Sequence, residues 1–199
     1  MLKPVVFVIC LIPLFWLGYD FFTDGLGAEP FTELTQQSGE WTLRILLLTL
    51  SMTPLRILLK ATGQTNFSWP IKIRRMVGLF VIFYASLHLT TYIWFDQFFD
   101  WGEIWLDIKD RPFITLGMLA WLLLWPLTVT SNRYMQRKLG RNWLKLHKTI
   151  YFIASLGIVH FFLLVKADYW WPVMYLLIFL ALMAMRSSRL RNLFKIRPV

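Results

Sequence analysis

Two of the three histidines, His88 and His160, sit inside long apolar runs, each 12–13 residues past a basic cluster. Arg74 and Arg75 precede the first, Lys145 and Lys148 the second. At about 1.5 Å of rise per helical residue, both imidazoles lie roughly 18–20 Å into a hydrocarbon layer about 30 Å thick. An ionisable ring at that depth is costly and marks a functional site by default. Two rings at matched depth on different helices can clamp a planar metal cofactor, and haem fits this arrangement best. Two imidazoles would give a six-coordinate, low-spin centre suited to electron transfer. The competing reading has each ring hydrogen-bonding a neighbouring helix or joining a proton relay. The single cysteine, Cys10, leaves no disulfide, no iron–sulfur or zinc set and no C-x-x-C-H attachment motif. A haem here is therefore held non-covalently, as haem b is, and Cys10 reads as a small apolar residue.

His147 is a different case, because it lies at the inner interface, thirteen residues before His160. Along a helix that is about 20 Å and roughly 140° away from a shared face. A kink or π-bulge would be needed to align the two rings. A second haem near the inner face would want an opposing ligand where Arg74 and Arg75 stand. Arginine stays protonated and does not ligate iron. It can instead pair with haem propionates or with a flavin phosphate. One haem is the expectation, and a second, with His147 as a ligand, stays open.

The elements that must position these residues follow from composition. The chain of 199 residues is 57% hydrophobic and 18% aromatic, with 11 Trp and only 16% charge. A soluble domain needs far more polar surface, so the expected class is an all-α integral membrane protein. The net charge of +10 does not indicate nucleic acid, because the basic residues bracket apolar spans. Six apolar stretches, roughly 4–22, 42–59, 76–95, 113–130, 149–165 and 170–185, predict a bundle of six transmembrane helices forming one domain over residues 1–199. The first stretch is rather long for a signal peptide, has Pro13 in mid-run and no small-x-small cleavage site, so it reads as a retained helix. Pro13, Pro54 and Pro126 fall inside spans, where neighbours can satisfy the freed backbone groups. Tryptophans such as Trp41, Trp69, Trp94, Trp143 and Trp170 mark span ends as an interfacial belt.

Charge sets the orientation. Residues 56–75 and 132–148 carry basic residues and no acid, and the tail adds Arg186, Arg189, Arg191, Lys195 and Arg197. With Lys3, that places most of the 21 basic residues on one side. The positive-inside rule then puts both termini in the cytoplasm and the acid-bearing connections outside. Arg44, Lys109, Arg111 and Lys166 are left on the outer side or at its margin.

Helix three, with its Arg74-Arg75 start and its Leu87-His88-Leu89-Thr90 end, resembles the pattern RRxxGL…LHLTxY. The inner loop from Thr130 through Met135-Gln-Arg-Lys-Leu-Gly140 to His147 and His160 resembles TSxxxMQRKLGxxWxxLHxxxY…IH, and Gly25-Leu-Gly-Ala-Glu-Pro30 is similar to GLGADP. Together with Thr53-Pro54 these cover nearly the whole chain and resemble the MsrQ (formerly YedZ) family of bacterial haem-bearing membrane subunits. That family sits in the ferric-reductase-like transmembrane superfamily, with the NADPH oxidases. The resemblance implies electrons taken from the quinone pool or a cytosolic flavin reductase and passed through haem to MsrP, a periplasmic molybdopterin reductase. MsrP repairs methionine sulfoxide in envelope proteins. The resemblance also implies an inner-membrane location, an FMN cofactor for which the chain has no recognisable motif, and haem binding by His88, His147 and His160.

The expected mechanism is vectorial electron transfer, in which the chain supplies ligands and a dry shell and the cofactor supplies the redox chemistry. Outward electron movement from a negative interior is favoured by up to about 2.3 kcal/mol per 100 mV. No set of residues is placed to make or break bonds, and no soluble nicotinamide or flavin domain is evident, so a donor and an acceptor are expected. The basic inner loops fit anionic lipid or a docked donor. Two rivals remain: a stand-alone transmembrane ferric or quinone reductase, and a proton-coupled transporter using His88 and His160 as a relay. The transporter lacks a matched pair of Gly/Pro-broken helices.

Overall fold

In lipid, backbone groups have no water to satisfy them, and a helix satisfies them internally. Among the described residues, 2–61 and 69–187 of this computed structural model, every regular element is helical. The helices are α1 (Leu2–Phe22), α2 (Pro30–Ala61), α3 (Trp69–Thr91), α4 (Trp101–Asp110), α5 (Pro112–Val129), α6 (Arg133–Leu139), α7 (Arg141–His147), α8 (Ile150–Leu164) and α9 (Trp170–Arg186). A π-helical turn, Tyr92–Asp96, extends α3. Arg189, Arg191, Lys195 and Arg197, which entered the charge argument, lie outside the described residues.

Five stretches among the described residues are long and apolar enough to cross a bilayer: Leu2–Phe22, Pro30–Leu59, Trp69–Asp96, Pro112–Val129 and Arg141–Leu164. The expected sixth forms α9, an apolar helix of 17 residues, at the short end of the roughly 17–25 that span a membrane. The protein is thus an all-helical, multi-pass membrane bundle.

Helix α2 departs most from the apolar pattern. It begins at Pro30, twelve residues before the apolar stretch, and runs for 32 residues. Proline is pre-set for the first helical turn, and Glu33 there complements the helix dipole. At about 1.5 Å per residue the helix is about 48 Å long, so it overshoots a 30 Å hydrocarbon layer. Glu33 and Glu40, expected in a connection, are consequently helical. Glu40 pairs with Arg44 one turn on, and Arg44 Nε donates to the Tyr175 hydroxyl at 2.9 Å, tying α2 to α9.

Four helices close a ring: α2 packs along α3, α3 against α5, α5 along α8, and α8 against α2. Helices α3 and α8 therefore stand at opposite corners. Outside the ring, α1 packs on α2 and α3, and α9 on α2 and α8. Leu43, Leu46, Leu50, Val77, Val81, Ile153, Ala154 and Ile158 fill the interior. Phe7, Trp16, Leu122, Phe152 and Leu177 point outward, as lipid tails offer apolar side chains the same environment as a core. The basic connection between α5 and α8 is more ordered than its charge suggests. It holds α6 and α7, separated by Gly140 at φ +51°, a conformation that favours glycine.

Candidate functional site

His88 is carried by α3, in the last turn before the π-helical segment, and His160 by α8. Because α3 and α8 are opposite corners, the two side chains enter the ring from across it. Their centroids are 6.1 Å apart and their planes cross at 81°. Each residue is half-buried.

Both rings are pinned by the same device. His88 Nδ1 lies 2.7 Å from the Thr35 carbonyl on α2, and His160 Nδ1 lies 2.6 Å from the Phe113 carbonyl on α5. A carbonyl can only accept, so each Nδ1 carries the proton and donates. In a neutral imidazole that leaves Nε2 with its lone pair free, the form a metal requires. Ser38 Oγ donates to the same Thr35 carbonyl at 2.9 Å and stands 3.5 Å from His88 Nδ1. The Thr35 hydroxyl, a turn away on α2, is buried and has no hydrogen-bond partner among the described residues.

The arrangement suits one class of ligand. Two metal–imidazole bonds of about 2 Å, plus about 1.1 Å from each nitrogen to its ring centre, span about 6 Å, close to the observed separation. Among the described residues no three His, Cys, Asp or Glu gather at one point. A metal held by this pair would take its other ligands from a cofactor, as iron does from a porphyrin.

The remaining candidates have other surroundings. The His147 ring stacks on Trp143, centroids 3.9 Å apart. Its Nδ1 is 3.1 Å from the Trp143 carbonyl and its Nε2 is 3.3 Å from Ser131 Oγ. Arg74 turns inward and donates to Thr53 Oγ1 at 3.1 Å, whereas Arg75 is exposed. Arg186, a basic tail residue by sequence, is drawn into the bundle. It reaches the Leu50 carbonyl and the Tyr151 hydroxyl, and Leu50 and Thr53 are one turn apart on α2. Two guanidinium groups thus anchor on the same turn.

Thr35, Ser38, Gly39, Phe113 and Gly117 escaped the sequence reading. A backbone carbonyl has no sequence signature, and of the two glycines only Gly117 lies inside an expected helix, where it hints at a close approach.

Helix bundles hold cofactors with side chains that project from facing helices, and this ring offers one imidazole from each of two opposite helices. Residues 38–158 match the family model described as the ferric reductase like transmembrane component. A Rhodospirillum rubrum protein, the protein-methionine-sulfoxide reductase heme-binding subunit MsrQ, is 49% identical over 185 residues, 92% of this chain and 86% of its own length. Proteins of the same description from Caulobacter vibrioides and Herminiimonas arsenicoxydans are 45% and 44% identical, covering 92% and 86% of this chain and 84% and 72% of theirs. The chain belongs to the MsrQ family, within the ferric-reductase-like transmembrane proteins.

Proposed function

We propose that this chain is a membrane-embedded b-type cytochrome subunit carrying electrons to a periplasmic MsrP-like methionine-sulfoxide reductase. One non-covalent haem b is held by His88 and His160, whose rings, with centroids 6.1 Å apart, are the observation that carries the reading. When bound, the haem supplies reversible one-electron chemistry between ferric and ferrous iron. The chain's own residues bind and orient it. The Thr35 and Phe113 carbonyls hold the Nδ1 protons, and the apolar ring excludes water. The names of the relatives, each a heme-binding subunit, support the cofactor assignment.

Electrons enter from the quinone pool or a cytosolic flavin reductase at the basic inner side. Arg74, with Arg75 nearby, serves a propionate or a flavin phosphate there, and His147 is the candidate for a second haem. FMN belongs to this reading through the family resemblance. The six apolar segments each cross the bacterial inner membrane, both termini face the cytoplasm, and residues 1–199 form one domain. The chain makes and breaks no bonds itself.

The deciding experiment is haem quantification on detergent-purified protein, with spectra before and after reduction. One haem b per chain, with a Soret band that shifts and an α-band that sharpens on reduction, is expected. A colourless protein after supply of haem during expression would sink the reading.

A further inference from the structure

The four ring helices carry one glycine each: Gly39 on α2, Gly78 on α3, Gly117 on α5 and Gly157 on α8. Two of them touch an imidazole. A Cβ built on Gly39 would lie 2.9 Å from Cε1 and 3.0 Å from Nδ1 of His88. One built on Gly117 would lie 3.0 Å from Nδ1 and 3.1 Å from Cε1 of His160. The other two have room, since a Cβ on Gly78 would meet Thr49 Cγ2 at 3.5 Å and one on Gly157 would meet Leu43 Cδ1 at 3.9 Å.

The positions repeat a pattern. Thr35 accepts from His88 and Gly39 is four residues on; Phe113 accepts from His160 and Gly117 is four residues on. In an α-helix the carbonyl of residue i points at the N–H of residue i+4. The Cα–Cβ bond of residue i+4 tilts back toward the N-terminus, over that same carbonyl. A side chain at i+4 obstructs a donor that approaches from its own side, and at these two seats the imidazole does so, leaving no room for a Cβ. The same solution occurs on two unrelated helix segments, once for each ring.

Resting on the function proposed above, we infer that Gly39 and Gly117 are positioning residues that seat the two imidazoles on helix carbonyls. The seats fix the Nδ1–H tautomer and hold the ring planes crossed at the observed 81°. Each carbonyl bond also enriches its ring in electron density, which raises ligand basicity and favours ferric over ferrous iron.

The test uses the full chain loaded with haem. Electron paramagnetic resonance of the ferric wild-type protein should give the strongly anisotropic low-spin signal of crossed axial planes. An ordinary rhombic signal, as parallel planes give, overturns the inference without any mutant and leaves the haem assignment standing. Gly39→Ala and Gly117→Ala should move the signal toward the rhombic type and raise the midpoint potential. Haem affinity should fall roughly ten- to hundredfold, as when an outer partner of a metal-bound histidine is lost. Gly78→Ala and Gly157→Ala, on the histidine-bearing helices themselves, should match the wild type in all three readouts. Wild-type spectra and potential in both seat variants would overturn the inference, as would equal changes in all four variants. A chain that takes up no haem overturns it together with the proposed function.

Discussion

The hydroxyl of Tyr84 on α3 is inserted into the backbone of α1, donating to the Cys10 carbonyl at 2.8 Å. It also accepts from the Leu14 N–H at 3.1 Å. Leu14 and Cys10 are i→i−4 partners in a regular helix, so the side chain replaces one rung of the ladder, next to Pro13, which has no N–H to give. Tyr84 is fully buried, at 0% exposure. Together with apolar contact, this pair of hydrogen bonds fastens α1 to the ring that carries His88.

Tyr84→Phe should therefore loosen α1 at modest cost. The freed N–H and carbonyl can close on each other directly, which puts the loss at about 1 kcal/mol, the low end for a buried polar group. Unfolding of the detergent-solubilised variant against wild type checks this. A loss well above about 3 kcal/mol would mean that Pro13 holds the rung open and leaves both groups unpaired.

His88→Ala and His160→Ala should each lower bound haem by at least about tenfold, since loss of even an outer partner of a metal ligand costs 10–100-fold. His147→Ala should leave that haem in place, because its ring is engaged with Trp143 and Ser131 instead. Haem per chain, read from the reduced pyridine adduct, decides. Full haem in both of the first two variants would end the clamp. Equal loss in all three would place His147 in the same site.

The histidine pair was legible because an ionisable ring in an apolar run stands out against its neighbours. Its partners were not, because main-chain carbonyls at Thr35 and Phe113 look the same in every sequence. The start of α2 was missed for a related reason. Hydropathy marks where a helix enters lipid, and residues 35–40 are polar helix outside that stretch. Pro30 and Glu33 were the available signals. The π-helical turn after His88 likewise has no apolar period to reveal it.

Asp107 organises the connection between α3 and α5. One carboxylate oxygen accepts from the Tyr92 hydroxyl at 2.8 Å and from Gln97 Nε2 at 2.7 Å, and the other pairs with Arg111 at 3.0 Å. The residue is only 7% exposed. Arg111 is more than half exposed, so solvent screens its share. The two half-buried donors carry the cost. Asp107→Ala should lose about 3 kcal/mol, the upper range for hydrogen bonds to a charged group, measured by thermal unfolding. A change under about 0.5 kcal/mol would show that water replaces the carboxylate freely, as at an ordinary surface site.

Orientation is the remaining expectation, and the lone cysteine makes it accessible. In a Cys10→Ala background, Glu103→Cys on α4 and Gln136→Cys on α6 each offer one exposed thiol. A membrane-impermeant maleimide applied to right-side-out vesicles should label the first and reach the second only after the membrane is opened. The reverse pattern would invert the topology derived from the basic loops. Helix α9 needs its own test, because 17 residues lie at the short limit for a span. Alkaline phosphatase, active only outside the cytoplasm, should be active when fused after Asp168 and inactive when fused after Val199. Activity at both points would put the two ends of α9 on one side, with the helix lying along the interface and the bundle crossing the membrane five times.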